Sequence, residues 1–133
     1  MRIRERLSFS GTLCAGLLTL LLASTVQGGG KERVDFNRDV RPILAGSCLD
    51  CHGPDARARK GELRLDTPED VYAQREGHRV IDLEHPGKSD LLRRVTSDDP
   101  DLSMPPPESA HERLSPEQVA TLRRWIEEGG KWD

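Results

Sequence analysis

Residues Cys48-Leu49-Asp50-Cys51-His52 spell C-x-x-C-H. Two thiols separated by two residues can add to the two vinyl groups on one edge of a porphyrin, and the histidine that follows is then held beneath the iron. Haem iron needs an axial nitrogen or sulfur donor, and a proximal histidine is a common one. The pentapeptide therefore reads as the attachment signal for one covalent haem c, with Cys48 and Cys51 as its anchors and His52 as a ligand to iron. Two other chemistries share C-x-x-C. Structural zinc needs two further ligands, but the only other cysteine is Cys14, and His78, His85 and His111 show no paired ligand spacing. A thioredoxin-like dithiol is expected in a β-α-β setting, and the flanks of this motif are not strand-like.

A low-spin electron-transfer haem needs a sixth ligand opposite His52. Met104 is the only methionine besides Met1, and Pro105, Pro106 and Pro107 follow it. Consecutive prolines restrict φ and stiffen the loop. A methionine in a polar, proline-rich loop is also hard to explain as core filling, its usual role. Met104 is the expected axial ligand, with His111 as the first substitute and an open position as the other alternative. His78, His85 and His111 otherwise read as surface histidines.

These residues have to be positioned by short helices. Phe36, Val40, Ile43 and Leu44 fall on one helical face, with Asp39 as the expected N-cap, Pro42 in the first turn and an end near Gly46. A polar, basic loop follows His52. Its Arg57, Arg59 and Lys60, with Arg64 beyond, are candidates to offset porphyrin propionates, or simply solvated charges. Thr67-Pro68-Glu69-Asp70 starts a short helix with a threonine N-cap. His85-Pro86-Gly87-Lys88 is a turn, and Ser89-Asp90 caps a helix through Leu91, Leu92 and Val95. Residues 98–107 form the methionine loop. Ser115-Pro116-Glu117-Gln118 is a capping box opening a helix with Val119, Leu122, Trp125 and Ile126 on one face, stopped by Gly129-Gly130. No strand pattern competes, so the expected fold is all-α.

Residues 1–27 read as a secretory signal: Arg2, Arg4 and Arg6, an eleven-residue apolar stretch at 13–23, then small and polar residues. Eleven residues fall short of the roughly 20 that span a bilayer, so no stable span is expected after cleavage; an uncleaved N-terminal anchor is the alternative. Cys14 would leave with the leader. Residues 28–33 are a flexible linker, and 34–133 the domain. Export to the periplasm or another extracytoplasmic space fits haem attachment, which takes place outside the cytoplasmic membrane. Beyond the leader the chain holds 17 basic and 22 acidic residues, a net charge of −5. That balance argues against nucleic acid as a partner and fits docking to a basic patch on a redox protein, or only a solvated surface. Phe36, Tyr72, Trp125 and Trp132 are the only aromatics of the domain. A porphyrin burying apolar surface at roughly 25 cal/mol per Å² would supply much of the missing core, so the haem-free chain is expected to be largely unfolded.

Taken in order, Val34-Asp35-Phe36-Asn37-Arg38-Asp39-Val40-Arg41-Pro42-Ile43-Leu44, the C-x-x-C-H-G-P-D run from Cys48, Lys60-Gly61-Glu62-Leu63-Arg64-Leu65-Asp66, Pro86-Gly87-Lys88-Ser89, Met104-Pro105-Pro106-Pro107 and the closing stretch from Leu114 to Trp132 resemble the planctomycete-type cytochrome c domain. The resemblance implies a class I-like cytochrome c fold, three to five short helices around one covalently attached haem on Cys48 and Cys51, with His52 and Met104 as axial ligands. Family members commonly open a longer secreted protein, so the sequence fits either a free-standing cytochrome or part of a larger one. The expected function is one-electron transfer with an unidentified redox protein, not enzymatic catalysis. A haem sensor or peroxidase-like site with a labile sixth ligand is one rival. Peroxidases of the cytochrome c type carry two such motifs, however, and c′-type sensors carry theirs near the C-terminus, whereas 81 residues follow His52. A haem docking module of a larger secreted protein is the other rival.

Overall fold

The computed structural model describes residues 32–132. The leader, Cys14 and most of the linker lie outside the described residues. Among the described residues five α-helices carry the fold: α1 Arg41–Ser47, α2 Leu49–His52, α3 Pro68–Tyr72, α4 Asp90–Val95 and α5 Pro116–Glu127. A π-helical turn at Phe36–Val40 precedes α1, and a 3-10 turn at Pro86–Lys88 precedes α4. One short hairpin interrupts the helices, with β1 Gln74–Arg75 antiparallel to β2 His78–Arg79 and Arg75 facing His78 in register. The chain is therefore helix-rich, as expected, with a small strand pair that the sequence did not announce.

The first helix starts earlier than its proline suggests. Asp35, not Asp39, is the N-cap: its backbone is extended and its carboxylate accepts from Arg38 N–H at 2.7 Å. Asp39 turns back and accepts from Asp35 N–H at 2.9 Å, so the two acids satisfy the free donors of that turn reciprocally. Pro42 can neither donate a hydrogen bond nor tolerate the carbonyl four residues before it. The wide π turn ahead of it, closed by Arg41 N–H on Phe36 O, lets the helix continue through the proline to Ser47.

The C-terminal helix follows its signals closely. Ser115 and Gln118 form both bonds of the capping box. At the other end Gly129 and Gly130 adopt positive φ and donate to Ile126 O and Trp125 O, the paired bonds that close a helix left-handedly. Gly130 is further constrained because a Cβ there would lie 2.7 Å from Tyr72 Oη. Leu122, Trp125 and Ile126 are fully buried, and α5 packs on the π turn, the 3-10 turn and α4. Phe36, Trp125 and Trp132 form a triangle of rings, with Phe36 tilted against the other two at centroid distances of 5.5 and 4.1 Å and the tryptophans edge-on at 5.9 Å. Tyr72 donates to Gly130 O and accepts from Trp132 Nε1 at 2.8 Å, so the polar ends of these rings are satisfied.

In α3 and α4 the expected cap residues occupy their positions but bond elsewhere. Thr67 Oγ1 donates to Asp70 Oδ2 at 3.1 Å, and buried Ser89 accepts from Asp82 N–H at 3.0 Å, tying α4 to the segment before it. Among the described residues no helix is long and apolar enough to cross a membrane.

Candidate functional site

Cys48 sits at the junction of α1 and α2, its N–H donating to Leu44 O at 2.8 Å. The N–H groups of Cys51 and His52 both donate back to Cys48 O, at 3.2 and 2.8 Å. The motif is thus one helical turn, and residues three and four apart on a helix share a face. Cys48, Cys51 and His52 accordingly line the same cavity. Gly53 ends the turn because a Cβ there would fall 2.2 Å from Leu49 O. The following loop then folds back, with Lys60 N–H on Cys51 O at 2.7 Å and Leu65 N–H on His52 O at 2.8 Å. Those bonds satisfy carbonyls that a four-residue helix would otherwise leave open.

The methionine loop lines the same cavity. Met104 N–H donates to Arg94 O at 3.1 Å, which fixes the start of Met104-Pro105-Pro106 against the end of α4. Further along, His111 Nε2 lies 3.1 Å from Asp50 Oδ2, so the loop is also tied to the residue between the two cysteines. Arg113 reaches Ser97 O at 2.6 Å and Asp98 at 3.2 Å and braces the loop from outside. Met104 lines the same cavity as Cys48, Cys51 and His52. All four residues singled out from the sequence meet there.

The cavity holds about 900 Å³, within the range of cofactor pockets. Its apolar wall includes Leu65, Val80, Leu91 and Val95. Both cysteines are free thiols and half-buried. Burial pushes the Cys48 thiol up to about 11, with neighbouring Cys51 adding to the effect. Burial also pushes the His52 pKa down, against a smaller opposing influence of the Lys60 and Leu63 backbone; Arg94 lowers it further. The neutral imidazole that burial favours is the form able to ligate a metal. His52 Nδ1 is buried with no hydrogen-bond partner of good geometry among the described residues. A paired thiol set, a neutral imidazole, a thioether and an apolar wall around one cavity fit a covalently attached haem.

Other expectations fare differently. Of the four basic residues proposed to face propionates, only Lys60 lines the cavity. Arg59 spends its guanidinium on Gly53 O and Pro54 O, and Arg64 on both oxygens of Asp66, while Arg57 is exposed. Local backbone and side-chain acceptors capture these arginines before they reach the cavity. Arg75 and Arg94 line it instead. His85 stays at the surface beside Asp82, and His78 is exposed at the rim of the cavity; His111 is half-buried and lines the cavity, which corrects its reading as a plain surface histidine. Asp90 organises the α4 side. It accepts from Arg93 at 2.8 Å and from Arg94 at 2.7 Å, and His78 lies 3.8 Å away. Burial works to raise the Asp90 pKa, but the bonds from Arg94 and Arg93 outweigh it and hold the group below the usual carboxylate value. Arg75 and His78 owe their place to the hairpin, whose signal is only the Glu76-Gly77 turn, with Gly77 at φ 84°.

No curated protein and no solved structure matches the chain at a significant level. Family comparison does give a match, over a little under half of the chain, beginning at the first cysteine of the motif and running past the methionine loop. Residues 48–108 match the model described as Planctomycete cytochrome C.

Proposed function

We propose that this chain is an exported, monohaem c-type cytochrome that carries one electron at a time. Cys48 and Cys51 hold the haem covalently, and His52 and Met104 are its two axial ligands. The observation that carries this reading is the meeting of all four side chains on one apolar-walled cavity in a segment of cytochrome c type. When bound, the haem supplies a reversible one-electron couple, whose potential is raised by His/Met ligation. The chain supplies the rest. The α2 turn holds the thiols and the imidazole on one face, and the Arg94 carbonyl and the His111–Asp50 pair fix the methionine loop at two points. Leu65, Val80, Leu91 and Val95 exclude water from the cavity wall. With both axial positions filled by protein, no substrate has to bind the metal.

One observation favours a second reading. His111 stands just beyond the methionine loop and His78 on the hairpin, and both line the cavity, so a labile sixth position with an imidazole nearby is the rival arrangement. Co-expression with a haem-attachment system, followed by intact mass and optical spectroscopy, separates the two. The electron-carrier reading expects one haem per chain and the long-wavelength methionine-to-iron charge-transfer band of the oxidised protein, lost in Met104→Ala. A high-spin ferric protein that binds exogenous ligands without mutation refutes it.

A further inference from the structure

Besides exposed Lys60, two half-buried cations reach the cavity: Arg75 from β1 and Arg94 from α4. Arg75 uses Nη2 on Glu62 O at 3.2 Å, and this nitrogen lies 3.6 Å from Asp70. Its Nε is buried with no acceptor among the described residues. Its Nη1 has no hydrogen-bond partner among the described residues, so the side chain, which lines the cavity, keeps a donor for whatever fills it. Arg94 bonds Asp90 through Nε, and its other N–H groups have no hydrogen-bond partner among the described residues. The acids around the cavity do not compete. Asp90 is already saturated by Arg93 and Arg94, and the glutamates that line the cavity are exposed, whereas Arg75 and Arg94 are half-buried.

We infer that Arg75 and Arg94 form the anion-holding wall of this cavity and receive the propionate carboxylates of the seated haem. The inference rests on the haem reading above. A guanidinium offers a planar set of donors that matches a carboxylate and keeps its charge at any working pH. Asp90 is a positioning residue here: it orients Arg94 by its Nε and leaves the remaining donors for the ligand. The two cations compensate negative charge beside the iron and so favour the ferrous state.

The test compares haem-loaded protein carrying Arg75→Gln, Arg94→Gln, Arg75→Lys and, as a control of equal charge change, the exposed Arg57→Gln. Equilibrium redox titration gives the potential, and the same samples report haem content and the methionine charge-transfer band. Arg75→Gln and Arg94→Gln should each shift the ferric/ferrous ratio about threefold to tenfold toward ferric, the upper figure being about 59 mV for one electron. Arg75→Lys should restore most of the loss, and Arg57→Gln should change little. Potentials unchanged in both glutamine variants, with haem and charge-transfer band intact, overturn the inference, as does an equal shift in Arg57→Gln. Absence of covalent haem from the unmutated protein overturns the haem reading itself. If Arg75→Gln does not accumulate with haem, Arg94→Gln and Arg75→Lys decide the question by the same titration.

Discussion

Asp90→Asn isolates the electrostatic centre of α4. The carboxylate is only 6% exposed, accepts from two arginines and stands in the first turn of its helix, where negative charge is favourable. Asparagine keeps the shape, removes the charge and turns an NH2 group toward one of the guanidiniums. Removing one partner of a fully buried pair costs about 3–5 kcal/mol, but the Arg93 and Arg94 side chains are 54% and 32% exposed and regain water. The cost is therefore nearer that of charged hydrogen bonds, about 2 kcal/mol. For a domain of roughly 100 residues, at about 4–8 °C per kcal/mol, the midpoint falls by about 8–16 °C. The pH dependence has a definite sign. Because the folded pKa lies below the ordinary carboxylate value, the contribution of Asp90 is complete above about pH 4 and is lost as pH falls through the folded value. Thermal unfolding of haem-loaded wild type and variant, followed by far-ultraviolet circular dichroism, should show the full gap near neutrality and a closing gap in acid. Equal midpoints at neutral pH, or a gap that persists undiminished into acid, refute the reasoning.

Two further outcomes test the elements that hold the site. Ser115→Ala removes the side-chain half of the α5 capping box and should cost about 1 kcal/mol, a fall of about 4–8 °C in the same melt, with the optical spectrum of the haem unchanged. Gly53→Ala drives a Cβ into Leu49 O and should distort the α2 turn, so intact mass should show a smaller fraction of chains carrying haem than in wild type.

Where the sequence carried local chemistry, the structure follows it. Ser115, Gln118, Gly129 and Gly130 act within a few residues of one another, so their roles are written in the spacing itself. The C-x-x-C-H turn is equally local, and its three side chains share a face once the turn is helical. Asp39 shows where such reading stops. A carboxylate four residues from another can cap or be capped, and the choice went to Asp35 because the proline at position 42 required a wide turn upstream. Arg59 and Arg64 were plausible cavity cations until nearby carbonyls and Asp66 claimed them, a competition that spacing does not disclose. Arg75 and His78 were hidden for a different reason. Two-residue strands have no alternation to detect, so only tertiary packing brings that charged stretch over the start of α4.

The two ends of the described chain meet on α5. Val34 N–H donates to Glu128 Oε2 at 2.8 Å, Arg33 reaches Glu128 O, and Arg124 reaches Glu32 O. None of these residues lines the cavity. In mechanical terms this is a clasp: tension applied through one end toward the other is borne at a single fastening, and the wall around Cys48, His52 and Met104 is left unloaded. The same adjacency gives the unit one point of attachment, from which it can be tethered while the cavity rim stays free.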